Sequence, residues 1–144
     1  MTAPDKILYS AKATASGAGR DGRTRTDDGV LDLSLSVPKG LGGGGGPGTN
    51  PEQLFASGYS ACFLGALRAV AGKAKFDAPA DTSVTATVGI GPGGGGYLLA
   101  VTLDVALPGA DEQQARQIVD KAHQVCPYSN ATRDNVDVKL NVTV

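Results

Sequence analysis

The side chains best suited to nucleophilic or redox chemistry in this 144-residue sequence are two cysteines, Cys62 and Cys126, and a single histidine, His123. A thiolate is a strong nucleophile, and cysteine oxidises reversibly to a sulfenic acid or a disulfide. The cysteines stand 64 positions apart, so no CxxC motif joins them. Two cysteines and one histidine fall short of a four-ligand zinc site of the usual type, so no metal is expected. Two roles are open to the pair from residue types alone. They are buried, inert core thiols, or a reactive pair that cycles between thiol and disulfide. His123 precedes Cys126 by three positions and either tunes that thiol or serves as an ordinary helix hydrogen-bonder.

Other motifs carry less. Gly89-Ile90-Gly91-Pro92-Gly93-Gly94 spells GxGxxG but feeds a strand, so it cannot hold a pyrophosphate at a helix N-terminus. Gly43 to Gly48 spells it again between a strand and a helix, where so many glycines make the match automatic. No parallel βαβ unit surrounds it, and no acidic residue follows at about 20 positions. Neither stretch leads into GK[ST]. Two glycosylation sequons, at Asn130 and Asn141, have no secretory signal to give them meaning.

Composition bounds the rest. The length suits one domain, 1–144. Glycine and proline together number 29, but 13 of the 21 glycines fall in two stretches, 40–48 and 89–96. Elsewhere the chain has an ordinary globular composition, with 41% apolar and 19% charged residues overall. A net charge of −1 makes no case for nucleic acid. No run of about 18 apolar residues suggests a membrane span. The first residues lack an apolar leader, so a cytoplasmic location is expected, where a purely structural disulfide is disfavoured.

The elements that must position the thiols follow from periodicity. Residues 6–14 are expected to form a strand, followed by turn chemistry at Gly17–Gly22. Residues 30–37 alternate through Leu31, Leu33, Leu35 and Val37. Thr49-Asn50-Pro51-Glu52 opens a helix running to about Gly72, with Cys62 near its middle. That helix is apolar nearly all round, which predicts a buried central helix, covered in a dimer. Residues 82–90 and 97–107 alternate and form a hairpin across the second glycine stretch. Asp111, with Gln114, caps a second helix whose apolar stripe is Ala115, Ile118, Val119 and Ala122; Pro127 ends it after Cys126. A last strand runs through Val136, Val138, Leu140, Val142 and Val144. The predicted class is α+β, with antiparallel sheets and two main helices.

Three blocks then stand out: Gly19-Arg20-Asp21-Gly22-Arg23, Gly48-Thr49-Asn50-Pro51-Glu52-Gln53-Leu54-Phe55-Ala56-Ser57-Gly58-Tyr59-Ser60-Ala61-Cys62-Phe63, and Val125-Cys126-Pro127-Tyr128-Ser129-Asn130-Ala131-Thr132-Arg133. Together they closely resemble the organic hydroperoxide resistance (Ohr) branch of the Ohr/OsmC family, from about Leu8 to Val142. The resemblance implies an intertwined homodimer and a thiol-dependent peroxidase acting on organic hydroperoxides, without a cofactor. It implies reduction by dihydrolipoyl groups of lipoylated proteins. By position, Cys62 matches the peroxidatic cysteine, Cys126 the resolving cysteine, Arg20 the activating arginine and Glu52 its carboxylate partner. The glycine runs at 42–46 and 93–96 depart from the family pattern.

The implied chemistry is physically coherent. A thiol inside an apolar helix has its pKa raised by burial and needs a nearby cation to become a thiolate. Arg68, six positions on, lies on another face of the helix. Arg20 would supply the charge, and Glu52 would offset the arginine's desolvation. Glu52 and Cys62 are ten residues apart, about 15 Å along a continuous helix. One arginine reaches both only if the helix bends near its start or if two chains share the site; the second is favoured. Alternatives of other classes are a non-catalytic redox sensor or binding module and a lipid-binding or stress-structural protein with inert buried thiols; an OsmC-type peroxidase would share the chemistry and differ in substrate preference and loops.

Overall fold

Short polar strands and glycine turns build the first part of the chain. The computed structural model describes residues 2–144, which divide into two units between Pro51 and Glu52. In the first unit, β1 (Ala13–Ser16), β2 (Arg23–Thr26) and β3 (Asp32–Ser34) form an antiparallel sheet in that order. Arg23 grips Asp32 across β2 and β3 with two bonds, Nε to Oδ1 at 2.6 Å and Nη2 to Oδ2 at 2.5 Å. The turn between β1 and β2 is a 3-10 turn at Gly19–Asp21, and Gly17 (φ 73°) and Gly19 (φ 66°) take the left-handed conformation that glycine permits.

Two expectations change here. The strand expected over 6–14 is ordered as a strand only from Ala13. Pairing with β2 stops where the Asp27 N–H donates to the Lys12 carbonyl, and Leu8 and Tyr9 beyond it are 88% and 81% exposed. The strand expected over 30–37 narrows to β3 plus a parallel bridge from Leu35 to Thr49. The first glycine stretch is folded back on β3: the Gly45 N–H donates to Val37 O, the Gly48 N–H to Ser36 Oγ and the Thr49 N–H to Ser34 O.

The second unit carries the main core. Helix α1 (Pro51–Lys73) starts at the proline that follows Asn50, as the capping sequence predicts. Its buried stripe is Tyr59, Phe63, Leu67 and Ala71, each one turn from the next. The remaining faces are half-buried or exposed, so α1 is not covered all round within one chain. By length and composition α1 suffices to cross a membrane, but its stripe packs into a core with Val101, Leu103, Val105 and Leu107. Burying such side chains stabilises by about 1.5–3 kcal/mol each.

β4 (Ser83–Gly93) and β5 (Gly96–Ala106) form the expected hairpin, paired from Ser83↔Ala106 to Gly93↔Gly96. Its turn is two residues, Gly94 (φ 58°) and Gly95 (φ 82°), so most of the second glycine stretch is strand rather than loop. α2 (Glu112–Val125) begins where the Asp111 carboxylate accepts from the Gln114 N–H at 3.0 Å, and buries Ala115, Ile118, Val119 and Ala122 as predicted. Pro127 ends α2 and also opens a short helix, α3 (Pro127–Thr132), that periodicity did not predict. β6 (Asp137–Thr143) then pairs with β5 in parallel, Ala100↔Asp137 to Ala106↔Thr143. The sheet is therefore mixed, not purely antiparallel. The connection from β5 to β6 contains two helices, and such a crossover suits a parallel neighbour.

Candidate functional site

The middle of α1 and the joint between α2 and α3 meet at the two thiols. Cys126 Sγ lies 3.7 Å from Cys62 Sγ, and both cysteines are free. Cys126 is fully buried, at 0% exposure, and Cys62 is half-buried. A disulfide needs about 2.05 Å between the sulfurs, so a modest approach of the two helices closes the bond. The placement follows from local sequence. Cys62 flanks the buried stripe residue Phe63, and Cys126 extends the apolar stripe of α2 into the residue before Pro127.

Aromatic rings wall the site. Phe55 and Tyr59 meet edge to face at 5.9 Å between centroids, and Tyr128 stands 5.9 Å from Phe55 and 5.6 Å from Tyr59. Gly58 makes room for this wall: a Cβ there would lie 2.9 Å from Tyr128 Oη. Burial pushes the Cys62 thiol above its ordinary value; the Tyr128 backbone pulls it back, and the neighbouring Cys126 raises it further. Within this unit Cys62 thus favours the protonated form.

Arg20 sits on the exposed Gly19–Asp21 turn of the first unit. Glu52 lies in the first turn of α1, which runs unbroken from there past Cys62. Of the four residues singled out in the sequence, the structure brings the two cysteines into contact. Among the described residues, no group of three or more His, Cys, Asp and Glu side chains could hold a metal ion.

His123 belongs to a buried polar cluster. Its Nδ1 lies 2.8 Å from Ser129 Oγ, and Tyr59 Oη lies 3.0 Å from Ser129 Oγ and 3.1 Å from Thr132 Oγ1. Burial lowers the His123 pKa below its ordinary value; Arg133 lowers it further, and Asp120 opposes. Sequence reasoning singled out none of Tyr59, Tyr128, Ser129 or Thr132 as site residues. Their signal was position: Tyr59 is one turn before Cys62, and the others fall within six residues after Cys126.

Comparison with known proteins agrees with this architecture. The sequence model of the OsmC-like protein family matches residues 42–141. The chain is 55% identical over 142 residues to an organic hydroperoxide resistance protein of Xanthomonas axonopodis pv. citri, covering 99% of both chains. Among solved structures, an organic hydroperoxide resistance protein OsmC from Legionella pneumophila superposes with a TM-score of 0.90 at 48% identity, covering 96% of this chain and 100% of that one. The organic hydroperoxide resistance protein OhrB of Bacillus subtilis gives a TM-score of 0.86 at 44% identity, over 95% and 100% of the two chains.

Proposed function

Since this chain belongs to the OsmC-like family, within its organic hydroperoxide resistance branch, we propose that it is a thiol-dependent peroxidase that reduces organic hydroperoxides to alcohols. The observation that carries the mechanism is the 3.7 Å contact between the sulfurs of Cys62 and Cys126. The Cys62 thiolate attacks the terminal oxygen of the hydroperoxide, the O–O bond breaks, and the alkoxide leaves and is protonated to the alcohol. Cys62 is then a sulfenic acid. Cys126 attacks the Cys62 sulfur, water leaves, and a Cys62–Cys126 disulfide forms. A dithiol such as a dihydrolipoyl group restores both thiols and is itself oxidised to a cyclic disulfide.

Burial holds Cys62 protonated within its own unit, so activation needs a cation. Arg20 is assigned that role and Glu52 orients it. The half-buried Phe55 and the exposed Tyr128, backed by the buried Tyr59, offer apolar surface that suits an alkyl or acyl chain better than hydrogen peroxide. The partly uncovered α1 and the exposed Ile7, Leu8 and Tyr9 favour a homodimer.

The direct experiment is a turnover assay with dihydrolipoamide against other thiols, across tert-butyl, fatty-acid and hydrogen peroxides. The proposal expects many turnovers, fastest with the organic substrates and the dithiol. A single oxidation event without turnover would favour a redox sensor instead.

A further inference from the structure

Beside the thiol pair, α1 and α3 are joined by buried hydroxyls that the chemistry above does not use. Tyr59 and Ser129 are both 0% exposed and Thr132 is 3% exposed. A buried hydroxyl without a partner is costly, so each must be bonded. Each also carries only one proton. The Thr132 hydroxyl donates back to the Tyr128 carbonyl at 3.0 Å, shared with the Ser129 carbonyl at 3.2 Å. With its proton on these carbonyls, the Thr132 hydroxyl accepts from Tyr59, and the order of donors follows from that placement. The Tyr59 hydroxyl donates to Thr132 and accepts from Ser129, and the Ser129 hydroxyl accepts from Nδ1–H of His123. Every member is satisfied, and the chain runs in one direction from His123 on α2 through Tyr59 on α1 to α3.

The chain crosses the joint where the chemistry needs accuracy. Cys126, the residue immediately before α3, holds its Sγ 3.7 Å from Cys62 Sγ, and the Tyr128 backbone in the first turn of α3 acts on the same thiol to lower its pKa. A movement of α3 away from α1 would separate both groups from the Cys62 sulfur.

We propose that Tyr59 is a positioning residue for the resolving step, its hydroxyl pinning α3 to α1 so that Cys126 stays within reach of oxidised Cys62. The proposal rests on the peroxidase function and adds a role to residues outside the reacting pair. Its consequence is kinetic. The Cys62 sulfenic acid has two fates: condensation with the Cys126 thiol, which releases water and leaves the disulfide, or oxidation by a second hydroperoxide to the irreversible sulfinic acid. Tight pinning favours the first.

The test uses the reduced full-length protein and three variants. Tyr59→Phe keeps the ring against Phe55 and Tyr128 and removes only the hydroxyl. Thr132→Val removes the acceptor of the Tyr59 proton, and Thr132→Ser restores it. Each is mixed with one equivalent of cumene hydroperoxide and quenched over time. Mass spectrometry then follows dimedone-trapped sulfenic acid at Cys62 and the Cys62–Cys126 disulfide. A parallel arm closes the disulfide with diamide, to which Cys62 adds before Cys126 displaces the hydrazine. Closure should slow by about five- to tenfold in Tyr59→Phe and Thr132→Val, the loss of one buried hydrogen bond, and return close to the wild-type rate in Thr132→Ser. Sulfenic acid formation should fall less than closure, which a general loss of structure would not produce. Wild-type closure rates in Tyr59→Phe and Thr132→Val, or Thr132→Ser as slow as Thr132→Val, would overturn the proposal. A wild type that ignores hydroperoxide yet closes with diamide would overturn the peroxidase function alone. The pinning role is then decided by whether the same order of rates holds in the diamide arm.

Discussion

Cys126 Sγ rests 3.7 Å from Cys62 Sγ, although 64 positions and a complete β-hairpin separate the two residues in the chain. The contact is made by a crossover: the chain leaves α1, builds β4 and β5, and returns along α2 to the side of α1. Such proximity is what a peroxidatic and a resolving thiol require. Replacing Cys126 by serine should leave the first oxidation intact and remove disulfide formation. Intact mass after excess hydroperoxide should then show two added oxygens on Cys62. A Cys126→Ser protein that turns over with dithiol at the wild-type rate would exclude Cys126 as the resolving group.

Activation of Cys62 is expected to depend on Arg20. Burial alone raises the thiol's pKa, so a cation must lower it for the thiolate to form near neutral pH. Arg20→Ala should move the midpoint of the pH–rate profile upward by about 1–3 units and slow the reaction at pH 7 by at least about tenfold. Glu52→Gln should show a smaller shift in the same direction, through loss of arginine orientation. An unchanged pH–rate profile in Arg20→Ala would show that the activating charge comes from elsewhere.

His123 predicts a pH dependence of stability. Its folded pKa lies below the ordinary imidazole value of 6.5, mainly from burial. The unfolded chain therefore binds the proton more tightly, and stability falls as pH drops below about 6.5, levelling off once the folded-state pKa is passed. Above that window the group contributes no pH dependence. Urea unfolding between pH 5 and 8 checks this, with His123→Gln expected to flatten that part of the curve.

The uncovered faces of α1 predict association. Gly65 lies on an exposed face of α1, and a Cβ built there meets nothing within 4 Å. In a monomer Gly65→Ala should stabilise by roughly 1 kcal/mol through helix propensity. With a second chain packed on that face, Gly65→Arg should turn a dimer into a monomer by light scattering at micromolar concentration. A wild-type monomer under those conditions would remove the homodimer from the account.

Much of the second unit was legible because its signals are local. Asp111 and Gln114 are three residues apart and form the cap they spell. The alternations in β4, β5 and β6 each bury one face, so pattern and structure coincide. β2 was not legible, because Arg-Thr-Arg-Thr carries no apolar alternation and owes its pairing to neighbours such as Asp32. The parallel placement of β6 escaped because periodicity reports which face is buried and is silent on strand direction. Pro127 reads as a stop; that it also starts α3 depends on where the chain turns next. For the site, the cysteines were visible by type and by their surrounding sequence. The Tyr59 bonds to Ser129 and Thr132 span 70 and 73 positions and arise only when α1 and α3 pack together.

The most direct measurement is peptide mapping of the wild-type protein after one equivalent of an organic hydroperoxide, with the reduced protein as control. The account predicts one Cys62–Cys126 linkage per chain, one molecule of alcohol released per disulfide, and no such product in Cys62→Ser. Alcohol released at the wild-type yield by Cys62→Ser, or oxidation that leaves Cys62 unmodified, would contradict it.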